Sequence, residues 1–385
     1  MDLIYADYAA TTPTDPRVLE AMMPYFTNDF YNAASTHQGG QNVQRVVMKA
    51  RMDIARHLGG VMNEIIFTSG STEGINLGII GSARAASSEG GSGRRKVVTM
   101  LTEHAAVRDA AEQCRLFGCD VVYLPADSEG RVSLEAAKEH IDSNTIIVCI
   151  MMVNNETGVV QDLKPLADLA HKHGALFMTD ATQGYGKLPI NVDDLGIDIL
   201  TLSGHKIYGP KGIGAVYIRQ RKKFLCQIEP IMYGGGQEFG FRSGTINVPG
   251  VVGLAVAGEL ALNSLSVEAQ RINALREHFE REVCKLSGVS INGAGACRNY
   301  NISNVLFRHV DVDRMMYDMP TVACSKGSAC SSAKTKMSPV LFAMGLTEEH
   351  ANASLRFSFG RDTTEQDVNR LLLEIHQAHA RHYKP

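Results

Sequence analysis

Ser203-Gly204-His205-Lys206-Ile207-Tyr208-Gly209-Pro210-Lys211-Gly212 is the stretch from which the fold is read. It follows an apolar run at 197–202 with the length of a buried strand, and its glycines and proline force a turn where that strand ends. A lysine ordinarily belongs in water. Held instead at a strand end inside a cleft, Lys206 would lose hydration, its pKa would fall, and the free amine could form a Schiff base with a carbonyl. Taken alone, the segment reads equally well as a solvated turn, so the flanking sequence has to decide.

Outward from this stretch, strand-like runs at 64–68, 97–101, 121–124, 145–153, 175–178, 197–202 and 214–218 alternate with helical ones at 41–58, from about 75 onward, and at 105–117, 133–142 and 162–173. Several of the strands are apolar on both faces, the pattern of a mostly parallel sheet covered on both sides by helices. An α/β fold follows. In such sheets ligands sit beyond the carboxyl ends of the strands, and here the polar residues gather at those ends: His104, Asn154-Asn155-Glu156, Asp180 with Gln183, and Ser203 to Lys206. After residue 250 the pattern changes to long helices at 250–264 and 267–286, then short strands near 301–307 and 355–359 in an α+β tail. Residues 15–260 are expected to form a large domain, and residues 1–14 with 261–385 a smaller one, the leading segment returning to the C-terminal part.

The composition excludes several classes. The chain has 385 residues with 38 Lys+Arg against 41 Asp+Glu, a balance that gives no overall field to recruit nucleic acid or an anionic membrane. The start lacks a basic region followed by an apolar core, and no apolar run is expected to approach the ~18 residues that span a bilayer, so a cytoplasmic setting is expected. Eight cysteines, at 114, 119, 149, 226, 284, 297, 324 and 330, are scattered without C-x-x-C pairs, which argues against a disulfide framework or a structural zinc site.

Four groups at the strand ends have the chemistry that pyridoxal phosphate requires. Lys206 supplies the amine. Ser71-Thr72, in the turn Ser69-Gly70-Ser71-Thr72-Glu73-Gly74 between a strand and a helix, supplies an anion site of backbone N–H groups and helix dipole. Asp180 is a carboxylate for the pyridine nitrogen and His104 a flat group for the ring face. Each has a bland alternative: Asp180 as a turn residue, His104 as a structural histidine. The Ser71 turn lacks the Gly-Lys-Ser/Thr ending of a nucleotide loop. Cys330 lies in Cys324-Ser325-Lys326-Gly327-Ser328-Ala329-Cys330, followed by Lys334 and Lys336, an electropositive run that would favour thiolate, or a surface loop with incidental cysteines. Arg356, in a strand, calls for an anion: a substrate carboxylate or an internal ion pair.

These residues resemble the pyridoxal-phosphate-dependent cysteine desulfurases of the class V aminotransferase family, in the subgroup whose catalytic cysteine lies in a long loop with a Ser-Gly-Ser-Ala-Cys pattern. The matching motifs run from Tyr5-Ala6-Asp7-Tyr8 through Thr102-Glu103-His104, Asp180-Ala181-Thr182-Gln183 and Arg242-Ser243-Gly244-Thr245 to Ser354-Leu355-Arg356-Phe357-Ser358, nearly the whole chain. The resemblance implies fold type I, the aspartate-aminotransferase kind, and a homodimer with active sites at the subunit interface. It implies Lys206 as the cofactor lysine, Asp180 and Gln183 as partners of the ring nitrogen and ring hydroxyl, and His104 as the stacking, proton-moving group. Ser71, Thr72, Ser203 and His205, with Thr245 from the other subunit, would hold the phosphate. Asn155 and Arg356 would hold L-cysteine, and Cys330 would receive its sulfur as a persulfide for an acceptor protein.

Two stretches depart from that pattern. Phe239 stands where arginine is common, and Lys326 replaces a small residue beside an additional Cys324. They bear on the acceptor, which in this family serves iron–sulfur assembly, tRNA thiolation or DNA phosphorothioation, and they point toward a dedicated route such as the last. In each case the acceptor, not this chain, would meet nucleic acid. The alternatives are a selenocysteine or carbon–sulfur lyase that does not use Cys330, and a non-catalytic sulfur-relay scaffold, against which Lys206, Asp180, His104 and Arg356 together argue.

Overall fold

In the strands Ile65–Thr68 (β2), Lys96–Met100 (β3), Thr145–Cys149 (β5), Leu176–Asp180 (β6), Ile199–Ser203 (β7) and Gly214–Ile218 (β8), neighbouring residues point to opposite sides and both sides are apolar. Ile66, Val97, Ile147, Met178, Ile199 and Val216 enter one buried cluster, while Phe67, Val98, Val148, Phe177, Leu200 and Ala215 enter the other. That two-residue period, with no polar face, buries a sheet between two helical layers. Each fully buried side chain of this size contributes roughly 1.5–3 kcal/mol.

The computed structural model describes residues 3–220, 227–327 and 337–385. Together with Asp120–Leu124 (β4), these strands form one seven-stranded sheet in the order β2-β8-β7-β6-β5-β3-β4. Neighbours from β7 through β4 are parallel, and β8 alone runs against both of its neighbours. The helix Ser71–Ser87 lies on the sheet because it carries glycines where it touches: a Cβ on Gly74 would meet Thr201 Cγ2 at 3.0 Å, and one on Gly78 would meet Met178 Sδ at 2.8 Å.

A second core surrounds the antiparallel sheet of Val289–Ile291 (β9), Ile302–Phe307 (β10) and Ser354–Ser358 (β12), ordered β12-β10-β9. The leading strand Ile4–Tyr5 (β1) pairs in parallel with Val322–Ala323 (β11), and Asp7 bridges to Ser358. Ile4, Phe279, Phe307, Phe357 and Ile375 share this core.

Several expectations need correction. The two helices expected at 250–264 and 267–286 are one, Val248–Val283, because Ser264 stays in the helix by bonding back to Leu260 O at 2.9 Å. Val251 and Leu254 of this helix join the main core, whereas Ile272 and Phe279 join the second. By length and composition the same helix could cross a membrane, contrary to the expected absence of any such run, yet half of its apolar window is buried inside the protein. The strand expected at 145–153 leaves the ladder at Cys149; the apolar run continues because Met151 and Val153 are core residues. Gly39 and Gly40, read as a boundary, lie inside the helix Gln38–Leu58, where a Cβ on Gly39 would strike the Tyr31 ring at 2.7 Å.

Candidate functional site

Because β2, β3, β5, β6 and β7 point the same way, their carboxyl ends meet at one edge of the sheet, and the segments that leave them enclose a cavity of about 110 Å³. Its walls include Ser71, Thr72, His104, Asn155, Asp180, Gln183, His205, Lys206 and Arg356, with Met151 and Val153 as apolar surface. Of the residues singled out in the sequence, Ser203 and Thr245 do not line it. Ser203 is buried at the end of β7 with its Oγ 3.9 Å from where a Cβ of Gly70 would be. Thr245 lies exposed in the turn after Ser243, and Cys330 lies outside the described residues.

Lys206 closes a 3-10 turn, Gly204–Lys206, directly after β7. Its Nζ donates to the carbonyls of Ala9 at 2.8 Å and Ala10 at 2.7 Å, so it is half-buried and directed and not a solvated turn residue. Beside it, His205 Nδ1 is 3.1 Å from Thr11 Oγ1, and burial, reinforced by Lys206, Lys211 and Lys187, pulls its pKa down to about 4. His205 is thus neutral near pH 7.

Asp180, the last residue of β6, is 5% exposed and accepts from the Thr182 backbone N–H at 2.9 Å and from the Thr182 hydroxyl. Gln183 donates to Ala9 O at 2.8 Å and accepts at Oε1 from buried Lys187 at 2.7 Å. His104 caps the helix Ala105–Gln113, its Nδ1 accepting from Ala106 N–H at 3.1 Å. A ring nitrogen that accepts carries no proton, so His104 holds its proton on Nε2. The structural reading of His104 and its place in the cavity wall therefore coexist. Ser71 and Thr72 open the Ser71–Ser87 helix, whose N-cap, Gly70, has no side chain with which to satisfy the first N–H groups.

Arg356 is 1% exposed. Its Nη1 donates to Asn155 O at 2.8 Å and its Nη2 to Asp7 Oδ1 at 2.7 Å, which is the internal ion pair offered as its alternative partner. Its buried Nε, and the buried Oδ1 of Asn155, have no hydrogen-bond partner among the described residues. Two buried polar atoms left so, on residues that line the cavity, cost free energy unless a ligand satisfies them. Asp7 also accepts from Ser325 Oγ at 2.9 Å, and Ser325 exchanges backbone bonds with Arg356. The stem that leads toward Cys330 is thereby stitched to the arginine of the cavity.

The sequence reading missed Asp7, Glu103, Lys187 and the carbonyls of Ala9 and Ala10. Glu103 is fully buried; burial first, then the charge of Asp180, pushes its carboxyl well above the ordinary range, and it accepts from Met151 N–H at 2.5 Å. Asp7 and Glu103 stood inside quoted motifs but had no visible partner in sequence, and a backbone carbonyl leaves no signal at all. Cys324 is partly buried, and burial, then the charge of Asp7, push its thiol up to about 12.

Fold and cavity together define a fold type I transferase of the aspartate-aminotransferase kind. The family model "Aminotransferase class-V" matches residues 4–371, and the chain belongs to that family. It is 43% identical over 368 residues to the cysteine desulfurase IscS of Rickettsia akari, covering 95% of this chain and 88% of the relative. Among solved structures it is similar to a NifS-like protein, with TM-score 0.89 and 33% identity over 97% of this chain and 98% of the other. A structure described as SspA in complex with cysteine matches with TM-score 0.81 and 35% identity over 92% and 98% of the two chains.

Proposed function

We propose that this protein is a cysteine desulfurase that uses pyridoxal 5′-phosphate, converting L-cysteine to L-alanine and placing the sulfur on Cys330 as a persulfide for an acceptor protein. The observation that carries the reading is the convergence of Lys206, Asp180, His104, Gln183 and Arg356 on one cavity. The donor set fits the cofactor: an amine, a buried carboxylate, an imidazole face and a helix N-terminus with no side-chain cap. The unpartnered Arg356 Nε and Asn155 Oδ1 fit a substrate bearing a carboxylate and an ammonium group.

When bound, the cofactor supplies an aldehyde for amines and an electron sink for the pair left when a Cα proton departs. The remaining chemistry belongs to the chain. Lys206 offers its amine, steadied by Ala9 and Ala10; Asp180, held by Thr182, keeps the ring nitrogen protonated; and Gln183 donates to the ring hydroxyl. Ser71, Thr72, Ser203 and His205 hold the phosphate, with Thr245 reaching in from the second copy of a homodimer. Arg356 fixes the substrate carboxylate and Asn155 helps to hold the substrate, and any proton that His104 moves travels through Nε2, since Nδ1 is committed to the helix cap. The Cys330 thiolate forms a bond to the substrate sulfur while the carbon–sulfur bond breaks, and the substrate carbon gains a proton, so alanine leaves. The proposed setting is the cytoplasm, with no nucleic acid or membrane bound directly by this chain.

The test is to incubate purified protein with pyridoxal phosphate and L-cysteine and to measure alanine and protein persulfide. Cys330→Ala is expected to keep the cofactor's visible absorption and lose persulfide formation. Protein that stays colourless after reconstitution sinks the reading, and a Cys330→Ala variant with full turnover moves it to a lyase.

A further inference from the structure

Among the described residues, Lys187 is the buried amine that the proposed reaction does not use. It follows Gln183 by four residues, is 7% exposed, and donates to Gln183 Oε1 at 2.7 Å. Among the described residues no carboxylate lies within ion-pair distance of it. Burial, and then the charges of Lys206 and Arg356, pull its pKa down to about 7. It borders a space of about 20 Å³, shared with Lys206, Tyr300 and Asn301, behind the cavity wall. Burying an amine there destabilises the chain, and a methionine would fill the same volume without that cost.

We propose that Lys187 is a positioning residue that sets which atom of Gln183 faces the cavity. As an ammonium Lys187 can only donate, and the Ala9 carbonyl can only accept. With Lys187 on Oε1 and Ala9 on one Nε2 hydrogen, a single orientation of the Gln183 amide satisfies both neighbours, and it leaves the second Nε2 hydrogen for the cavity. Without Lys187 only the Ala9 carbonyl orients the amide, and a turn of its oxygen toward the cavity becomes less costly. This inference rests on the reading that pyridoxal phosphate binds there with its ring oxygen against Gln183. An N–H stabilises that oxygen, most of all as a phenolate, and a carbonyl repels it.

The experiment measures the dissociation constants of cofactor-free protein for pyridoxal phosphate and for 3-deoxypyridoxal phosphate, which lacks the ring hydroxyl. Lys187→Met is expected to weaken pyridoxal phosphate about tenfold, the size of one hydrogen bond lost or reversed. The deoxy analogue should bind Lys187→Met and wild type within about twofold of each other, and on a Gln183→Ala background Lys187→Met should have no further effect. Equal losses for both ligands, or a loss that persists without Gln183, would mean a merely structural lysine and overturn the proposal. Lys187→Leu carries the same expectation where the methionine variant does not fold. A wild-type chain that binds neither ligand overturns the cofactor reading, and this proposal with it, whereas the other failures leave that reading standing.

Discussion

Replacing Arg51 with methionine tests how the site's flanking turn is held. Arg51, on the Gln38–Leu58 helix, reaches Glu238 with both terminal nitrogens, at 2.7 and 2.6 Å, and also donates to Ile65 O. The two side chains are 6% and 2% exposed, and the guanidinium lies 4.7 Å from the Phe67 ring centroid and 5.0 Å from that of Phe239. Removing one partner of such a pair costs about 3–5 kcal/mol, because the carboxylate stays behind without its counter-charge. Glu238 keeps one donor, Phe67 N–H at 2.7 Å, which places the expected loss inside that range and not above it. With an unfolding entropy of about 2.1 cal/mol/K per residue over the whole chain, the Tm should fall by roughly 4–6 °C. A second observable follows from the backbone. Glu238 and Phe239 have φ of 49° and 58°, a left-handed pair that costs about 1–2 kcal/mol per residue and persists because Arg51 grips it. Once released, this turn should also loosen Arg242, which donates to Glu73 at 2.8 Å beside Ser71 and Thr72, and so weaken phosphate binding. Thermal unfolding of the cofactor-free variant and of Arg51→Met/Glu238→Gln decides the matter, the double variant recovering part of the loss. A single-variant loss below about 1 kcal/mol would refute the account.

Arg356→Lys keeps a charge but loses the planar fork, so the KM for L-cysteine should rise about 10- to 100-fold with a smaller change in kcat; steady-state kinetics showing KM within threefold of wild type would count against its substrate role. His205 has a folded pKa of about 4 against 6.5 in the unfolded chain, so protons prefer the unfolded state. Its contribution is whole above pH 6.5 and fades as pH falls toward 4, and urea midpoints of cofactor-free protein should decline across that window less steeply in His205→Asn. Lys326 meets Asp313 at 2.9 Å across an exposed surface, so Lys326→Ala should alter stability by no more than about 0.5 kcal/mol in chemical denaturation.

The sheet and most of the cavity were legible because they obey local rules. Apolar runs such as 175–178 and 197–202 announce buried strands, and Asp180, Ser203 and Lys206 stand at or just beyond the ends of those strands. Ser264 misled because a serine that bonds back to Leu260 looks, in sequence, like one that ends a helix. The partner of Arg356 was hidden for a different reason: Asp7 is 349 residues away and enters through a bridge between the leading segment and β12. Lys187 was hidden because no local pattern distinguishes a buried lysine from a surface one. Phe239 and Lys326, noted as departures, receive separate physical accounts, a ring against Arg51 and a surface ion pair, and neither touches the cavity wall.

Residues early in the sequence hold three side chains of the cavity: Asp7, Ala9 and Ala10 receive Arg356, Gln183 and Lys206. During synthesis at about 5–20 residues per second, the 349 positions between Asp7 and Arg356 take roughly 17–70 s to make. Until β12 is made, the opening segment lacks the strand to which Asp7 bridges. A nascent chain stalled before β12 would therefore carry Lys206 without the complete pocket around it, and a cofactor held there would be loaded only after β12 is made.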